Sequence, residues 1–478
     1  MSRKIVIEPV TRIEGHAKVT VHLDDQNRVE RAVLHVNEFR GFEKFCEGRM
    51  FYEMPLITER ICGICPVSHH LASVKACDQI IGVQPPRPAS LLRELMHMGQ
   101  IIQSHAMHFF ELAGPDLLLG FDADPATRNV VGLYQMDPIT TGKAIELRKF
   151  GQSIIGRVGD RKIHPNFAIP GGVNKPLEQA ARDAMLAEVP RMIGFVQDGI
   201  VIVKGWMEQH ADVMQEFASF SSNYMGMVSA DDADELYEGM LQVVDKERHP
   251  VVRFDGRDYL QHISERVENW SYLKFPYLKA LGWPMGTYRV GPLGRLNACR
   301  KMATPLAQKE YVIFHQLRGG ATVEGTLYYH YARLIECLYG IERAAQILED
   351  PEILSTDLLV LGEVKNHEGV GILEAPRGTL IHHYQVDDTG RLTKVNLIVA
   401  TGHNNYAMSQ AVDAVAKRYI DGANVTEGAL NRIEAAIRAY DPCLSCSTHA
   451  IGKMPMALRF VDSAGRLVQT FERSGVGH

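Results

Sequence analysis

"RICGICPVSHH", residues 60–70, and "DPCLSCSTH", residues 441–449, each contain a Cys-x-x-Cys pair. Two such pairs supply the four thiolates of a metal site. In a structural zinc ribbon the pairs stand about 12 to 20 residues apart, whereas most of this 478-residue chain separates them here. Closing so long a loop costs about 5 kcal/mol of chain entropy, which only the whole fold can offset. We therefore expect both ends of the chain to meet at a buried metal centre. The four cysteines are Cys62, Cys65, Cys443 and Cys446.

The composition is that of a globular protein with a large core, since 46% of the residues are hydrophobic and 23% are charged. The net charge of -6 indicates no basic face for nucleic acid. No stretch approaches the roughly 18 apolar residues of a membrane span, and "MSRKIVIEPV" lacks the features of a signal peptide. Eight cysteines are sparse for this length and favour a reducing compartment, so we predict a cytoplasmic protein.

The hydrophobic pattern predicts a mainly α fold, in which a bundle of long helices carries small peripheral antiparallel β-sheets. The first 40 residues alternate between apolar and polar and predict two or three strands. A hairpin is expected to turn near Asp388, Thr389 and Gly390, and Pro190 is expected to break a helix. The absence of linkers favours one continuous body. The predicted helices cover residues 88–119, 177–217, 326–350 and 407–440.

The remaining cysteines stand alone in the sequence and are interpreted as small buried hydrophobic residues. Four thiolates by themselves leave zinc and an iron–sulfur cluster open. The chain has neither a strand-linked G-x-G-x-x-G motif nor a P-loop. If the centre exchanges electrons, the relay and any nucleotide cofactor must therefore lie on another polypeptide. The four single cysteines are Cys46, Cys77, Cys299 and Cys337.

The two cysteine motifs, written R-x-C-G-x-C-x-x-x-H and D-P-C-x-x-C-x-x-H, resemble those of the large subunit of [NiFe]-hydrogenases. Four further blocks share the resemblance, which spans nearly the whole chain and is greatest for the soluble NAD-reducing type. One block departs from the periplasmic and membrane-bound members, because "ATGHN" has Ala400 for their proline and His403 for their tryptophan. The further blocks are "RIEGH" (residues 12–16), "FRGFE" (39–43), "HPNFAIPGGV" (164–173) and "APRG" (375–378).

The resemblance implies a metal centre with named ligands. Cys62 and Cys443 match the terminal nickel ligands. Cys65 and Cys446 match the thiolates that bridge nickel to an iron atom carrying CO and cyanide. A nearby Mg²⁺ is implied as well, and oxygen donors suit such a hard cation. Its expected protein ligands are Glu43, the carbonyl of Leu397, and His449.

The resemblance also implies residues around the metals. Arg377, with Asp116 and Asp441 near it, is expected to cover the open coordination position. Glu14 and Cys443 are expected to carry the proton away. On its own, each of these residues would more often be an ordinary structural or surface group; for example, Glu14 would form an ion pair with Arg12. The residues expected to contact the cofactor are Thr401, which would donate a hydrogen bond to cyanide, His69, which would support a bridging thiolate, and Pro376.

The implied function is that of a hydrogenase catalytic subunit, which cleaves H2 heterolytically and reversibly. Electrons would pass through iron–sulfur clusters of a small subunit to NAD⁺ on a flavin-containing diaphorase partner of the hetero-oligomer. Nickel-insertion proteins and a maturation endopeptidase are further expected partners. The endopeptidase would cut after His449, removing residues 450–478 from a body formed by residues 1–449.

Three other functions are alternatives to that of a catalytic subunit. A hydrogen-sensing member of the family would lack the cleavable extension. A quinone-handling subunit related to respiratory complex I would lack the four metal-binding cysteines. A structural tetrathiolate zinc protein would need neither Glu14, Arg377 nor Glu43.

Overall fold

The structure is a computed structural model that describes residues 4–421, 425–448, 456–461 and 466–473. Helices dominate these residues, in agreement with the sequence, and within them no helix is long and apolar enough to cross a membrane. The helices are α1 (Phe42–Cys46), α2 (Met54–Thr58), α3 (Pro66–Ile81), α4 (Arg87–Ala106), α5 (Gly114–Leu118), α6 (Val130–Met136), α7 (Pro138–Gly159), α8 (Gln179–Gln209), α9 (Ala211–Glu216), α10 (Tyr259–His262), α11 (Pro292–Ala298), α12 (Pro305–Gln316), α13 (Tyr328–Glu349), α14 (Ala400–His403), α15 (Asn405–Tyr419), α16 (Glu427–Ala439) and α17 (Leu444–Ser447).

The strands form small sheets, most of them antiparallel. The sheets are ordered β1-β2-β3, β4-β5, β11-β6-β7-β8, β10-β9, β12-β13-β14 and β15-β16, and β11 pairs with β6 in parallel. The strands are β1 (Lys4–Ile7), β2 (Lys18–Leu23), β3 (Val29–His35), β4 (Ala168–Ile169), β5 (Gly172–Val173), β6 (Asn223–Val228), β7 (Met240–Val244), β8 (Pro250–Phe254), β9 (Ile263–Arg266), β10 (Phe275–Leu278), β11 (Tyr288–Arg289), β12 (Glu368–Ala375), β13 (Gly378–Val386), β14 (Leu392–Ile398), β15 (Met456–Val461) and β16 (Leu467–Arg473).

The helical core is built from α4, α7, α8 and α13, which pack against one another. Glycines set the spacing between α4 and α7, because a Cβ on Gly151 would lie 2.5 Å from the amide nitrogen of Gln103 and 2.6 Å from the carbonyl oxygen of Gly99. The two backbones can approach this closely only where no side chain stands between them. Three of these core helices, α4, α8 and α13, lie where the apolar periodicity predicts helices, whereas α7 was not predicted.

Three boundaries differ from the prediction. Pro190 does not break α8, because it lies on the exposed side of a helix that continues through it. The segment expected as one helix over residues 88–119 contains a π-helical stretch, Met107–Ala113, between α4 and α5. The last predicted helix is two helices, α15 and α16.

The β12-β13-β14 sheet is buried rather than peripheral, because it packs against α3. A Cβ on Gly371 would lie 1.8 Å from the carbonyl oxygen of Ala72, and one on Gly369 would lie 2.2 Å from that of Ala76. The glycines of β12 therefore let this strand lie directly on the helix that follows Cys65. The hairpin of β13 and β14 turns where the sequence predicts, with Gly390 at a φ of 80°.

Candidate metal centre

The two ends of the chain meet through their backbones. Glu14 and Cys443 form a parallel β-bridge, and the amide of Leu444 donates to the carbonyl of Glu14 at 3.1 Å. Gly15 has a φ of 81°, and a Cβ there would lie 2.8 Å from the Cβ of Leu444. The glycine of "RIEGH" is therefore required both by its left-handed backbone and by the closeness of the C-terminal motif.

The four cysteine sulfurs come together in the interior. The Sγ of Cys443 lies 2.6 Å from that of Cys446 and 3.3 Å from that of Cys62, and the Sγ atoms of Cys65 and Cys446 are 3.5 Å apart. The four atoms lie within 4.8 Å of one another, and none of the residues is more than 5% exposed. All four are free cysteines. One ion or a close metal pair can therefore contact every sulfur.

Helix starts hold both pairs in place. Cys65 immediately precedes α3, whose first residue is Pro66, and Cys443 immediately precedes α17. Burial raises the pKa of the Cys443 and Cys446 thiols, whereas hydrogen bonds from the neighbouring sulfurs lower the pKa of Cys62. A metal that binds here must displace thiol protons, which it can do because thiolates are the ligand form. The all-sulfur donor set fits a soft or borderline metal such as nickel, iron or zinc.

Arg377 and Asp441 form a buried ion pair beside the sulfurs. The Nε of Arg377 donates to the carbonyl of Asp441 at 2.6 Å, and its Nη2 donates to Oδ1 at 3.0 Å. Burial opposes the charge on Arg377, but Asp441 and the cysteines raise its pKa well above the usual value, so the group stays cationic. Among the described residues, neither its Nη1 nor the Oδ2 of Asp441 has a hydrogen-bond partner.

A small cavity next to the sulfurs is lined by Arg377, Ser68 and Thr401, among others. The Oγ1 of Thr401 accepts a hydrogen bond from the amide of Cys443 at 2.9 Å. Its own hydroxyl hydrogen therefore stays available to donate. Pro376 is buried next to Arg377, and its carbonyl accepts a hydrogen bond from Nη2 of Arg295 at 3.3 Å.

Glu14 connects the C-terminal motif with the outside. Its Oε2 accepts a hydrogen bond from the amide of Ser445 at 3.1 Å, and the residue is half-buried. The carboxylate thus lies beside the segment that carries Cys443, in a residue that keeps part of its surface exposed.

The residues expected to bind Mg²⁺ come together in part. The Oε1 of Glu43 accepts a hydrogen bond from the amide of Leu397 at 2.8 Å, which brings α1 against β14. The third expected ligand, His449, lies outside the described residues.

Asp116 lies in an arginine cluster. Its carboxylate pairs with Arg12 and Arg438 and accepts from the side-chain amide of Asn431 at 3.0 Å. The acid that pairs directly with Arg377 is Asp441. Sequence reasoning placed both acids at Arg377, because motif order does not reveal which of two acids reaches a given arginine.

His69, which is expected to support a bridging thiolate, lies beside the sulfur of Cys446. It also contacts His382, a residue to which the sequence assigns no role. The Nε2 of His69 lies 3.4 Å from the Sγ of Cys446, and its Nδ1 lies 3.0 Å from the Nε2 of His382. The sequence indicates the position of His382 only in part. Its alternation with Tyr384 predicts one shared strand face, but not that this face meets α3.

Comparison with known proteins identifies the family. The family described as "Nickel-dependent hydrogenase" matches residues 40–130 and 198–449, and one described as "HoxL-like" matches residues 4–39. The beta subunit of the NAD-reducing hydrogenase HoxS from Cupriavidus necator is 47% identical, with 98% of this chain and 99% of that protein covered. An F420-non-reducing hydrogenase subunit from Methanothermobacter thermautotrophicus is 43% identical, with 98% of this chain and 99% of that protein covered.

Solved structures agree with the sequence comparison. An NAD⁺-reducing [NiFe]-hydrogenase in its H2-reduced state superposes with a TM-score of 0.91 at 46% identity, covering 94% of this chain and 99% of that one. The Ni-Fe-Se hydrogenase of Desulfovibrio vulgaris Hildenborough, at 24% identity and a TM-score of 0.78, covers 94% of this chain and 100% of its own and shares the fold. The predicted fold class and the predicted family are thereby confirmed. With four buried cysteine sulfurs joining its two ends, this chain belongs to the nickel-dependent hydrogenase family.

Proposed function

We propose that this chain is the catalytic subunit of a [NiFe]-hydrogenase that cleaves H2 heterolytically and reversibly and delivers the electrons, through partner subunits, to NAD⁺. The observation that carries the proposal is the meeting of four buried cysteine sulfurs from opposite ends of the chain. The names of the relatives support the hydrogenase activity and the acceptor. The alternatives, a hydrogen sensor and a complex-I-related subunit, gain no such support.

We assign the sulfurs as in the family. Cys62 and Cys443 would hold nickel, and Cys65 and Cys446 would bridge it to an iron atom with CO and cyanide ligands. The free hydroxyl hydrogen of Thr401 supports its role as a donor to cyanide. When bound, the metal pair supplies the Lewis acidity and the redox chemistry that H2 cleavage needs.

Arg377 would act as a fixed cation above the site. Asp441 holds the guanidinium from one side through its carbonyl and its carboxylate, which leaves Nη1 without a partner among the described residues. Such a preorganised charge in a water-excluded site stabilises developing negative charge at little reorganisation cost. Because this ion pair keeps Arg377 protonated, we assign the acceptance of the proton to the sulfur of Cys443.

Glu14 would receive that proton next. Its backbone is bridged to Cys443, its carboxylate accepts a hydrogen bond from Ser445, and the residue is half-buried. A group that relays protons must reach the donor on one side and water on the other. The β-bridge that joins the chain ends supports this role, because it brings residue 14 beside Cys443.

The remaining assignments follow the family. Mg²⁺ would be held by Glu43, the carbonyl of Leu397, and His449; the contact between Glu43 and the backbone of Leu397 supports their shared placement. Asp116 would support the site through the arginine cluster, and Pro376 would shape the wall beside Arg377. Iron–sulfur clusters, flavin and NAD would reside on the diaphorase and small subunits of a cytoplasmic complex.

We also propose that residues 1–449 form the mature body and that an endopeptidase removes residues 450–478 after nickel-insertion proteins have loaded the site. Strands β15 and β16 of this extension pair with each other in a two-stranded sheet, which supports the view that the extension is separate from the body. The superposition with the solved NAD⁺-reducing hydrogenase includes 99% of that protein but only 94% of this chain. This difference is expected if the solved protein has lost an extension that this chain still carries.

Metal analysis of the purified complex tests the function. We expect about one nickel and one iron per chain beyond the clusters of the partners, together with infrared bands of CO and cyanide. Cys446→Ala should abolish both signals, whereas Cys337→Ala, at a buried cysteine of α13 outside the cluster, should keep them. A complex with zinc and no CO or cyanide bands would contradict the proposal.

A further inference from the structure

A chain of hydrogen bonds leads away from the sulfur of Cys446 into the core. It runs from Cys446 to Nε2 of His69 at 3.4 Å, and from Nδ1 of His69 to Nε2 of His382 at 3.0 Å. It continues from Nδ1 of His382 to the hydroxyl of Tyr384 at 2.6 Å, and from that hydroxyl to Oγ of Ser73 at 2.9 Å. None of these residues is more than 1% exposed.

The chemistry of the donors fixes the direction of this chain once a metal is bound. A metal-bound thiolate has no hydrogen and can only accept a hydrogen bond. A neutral imidazole has one N–H and one bare nitrogen. His69 must therefore place its hydrogen on Nε2, and its bare Nδ1 must then accept from Nε2–H of His382. The Nδ1 of His382 is in turn bare, so the hydroxyl of Tyr384 must donate to it. Because that hydroxyl has only one hydrogen, Ser73 must then be the donor in the contact between Ser73 and Tyr384.

We propose that His382 and Tyr384 are positioning residues that hold His69 in the Nε2–H tautomer and thereby aim a hydrogen bond at the bridging sulfur of Cys446. The inference rests on the proposed role of Cys446 as a metal ligand. Partners behind a ligand fix its orientation and tune the metal's electronic properties. A hydrogen bond to the sulfur withdraws charge from it, so that less charge reaches the metals.

The position of the chain argues against a second route for protons. Ser73 and Tyr384 have no exposed surface, and Cys77, one helical turn after Ser73, donates its S–H to the carbonyl of Phe51. Within the part of the chain that the structure describes, the hydrogen bonds that link these residues thus end inside the protein. A chain that starts at a ligand and ends in the core orients its members, whereas a proton exit must reach water.

The infrared spectrum of the loaded complex reports the effect directly. Tyr384→Phe and His382→Leu each remove a donor from the chain, so the N–H···S bond weakens and more charge stays on the sulfur. The CO stretch should then shift to lower frequency. His382→Gln has a side-chain amide that can replace Nε2–H, and it should keep the wild-type position.

His383→Gln is the matched control. His383 is the next residue of β13 and points to the other face, where it meets Tyr259 at 2.9 Å and Glu368 at 2.6 Å. This variant should leave the CO stretch in place. A structural role alone would move no band, or would move it equally in all of these variants.

The outcomes separate this inference from the function on which it rests. Wild-type complex without nickel and iron would end the proposed function. Loaded wild-type complex with an unshifted CO stretch in both Tyr384→Phe and His382→Leu would overturn the positioning role alone. If Tyr384→Phe does not fold, the comparison between Leu and Gln at position 382 decides: equal spectra overturn the inference, and a shift only for Leu supports it.

Discussion

Replacing Glu14 by glutamine tests the proton exit with little disturbance to the fold. The amide oxygen of glutamine can still accept from the amide of Ser445, and the backbone bond from Leu444 to residue 14 does not involve the side chain. The substitution exchanges a charge-assisted hydrogen bond for a neutral one, a difference of about 1 kcal/mol. The metals should therefore stay bound, and the unfolding transition should move only slightly.

The catalytic effect should be far larger. Loss of a positioned proton-transfer group costs a factor of about 10² to 10⁴ in rate, which corresponds to about 3 to 5 kcal/mol of barrier. Glutamine cannot take up a proton at working pH, so the proton would be trapped at the site.

Two assays separate proton exit from the chemistry of H2. Exchange between D2 and solvent protons requires the exit and should fall with H2 oxidation, whereas the interconversion of ortho- and para-hydrogen within the site should be retained. Glu38→Gln, at a half-buried carboxylate beside His16, provides a control that should match the wild type. Undiminished solvent exchange in fully loaded Glu14→Gln would refute the reasoning.

Three further predictions concern stability. Asp441→Asn leaves the buried charge of Arg377 without its counter-ion and should lower the free energy of unfolding by about 3 kcal/mol, seen as a lower denaturant midpoint. Burial lowers the pKa of His97 from 6.5 to about 3, so the unfolded chain binds an extra proton between these pH values and stability rises with pH across that window. His97 contributes about 1.4 kcal/mol per pH unit to the slope of the free energy of unfolding against pH in that window. Denaturant titrations at several pH values should show that His97→Gln removes this contribution, and an unchanged slope would contradict the prediction. Gly371→Ala forces a methyl group onto a carbonyl of α3, so it should lower the free energy of unfolding by about 1 to 3 kcal/mol and reduce metal content. The control is Gly205→Ala, which has open space around it and should be neutral or stabilising by up to about 1 kcal/mol in thermal unfolding.

The sequence predicts those features that depend on local periodicity or on ligand chemistry. The core helices α4, α8 and α13 follow from apolar spacing, although α7 was not predicted. The meeting of Cys62 with Cys443 follows from the need of two distant pairs for a common metal. The π-helical segment Met107–Ala113 could not be predicted, because it lies inside one continuous apolar pattern that does not distinguish it from the α-helices on either side. The prediction of a break at Pro190 is wrong, because a proline on the solvent side of a long packed helix is tolerated.

The candidate site was predictable in kind but not in its contacts. The resemblance implies Arg377, Asp441 and Asp116 together. Only the folded structure distinguishes the acid that pairs with Arg377 from the acid that pairs with Arg12 and Arg438. Such contacts arise between residues hundreds of positions apart in sequence, where no local pattern carries information.

The joining of the chain ends has a consequence for biosynthesis. Cys62 and Cys443 are 381 residues apart, and at about 5 to 20 residues per second a ribosome needs roughly 20 to 75 s to pass from one to the other. During that interval a nascent chain offers only two of the four thiols of the site, a half-site that would attract stray zinc as readily as any other soft ion. The four sulfurs of the site therefore exist together only after residue 446 has been synthesised.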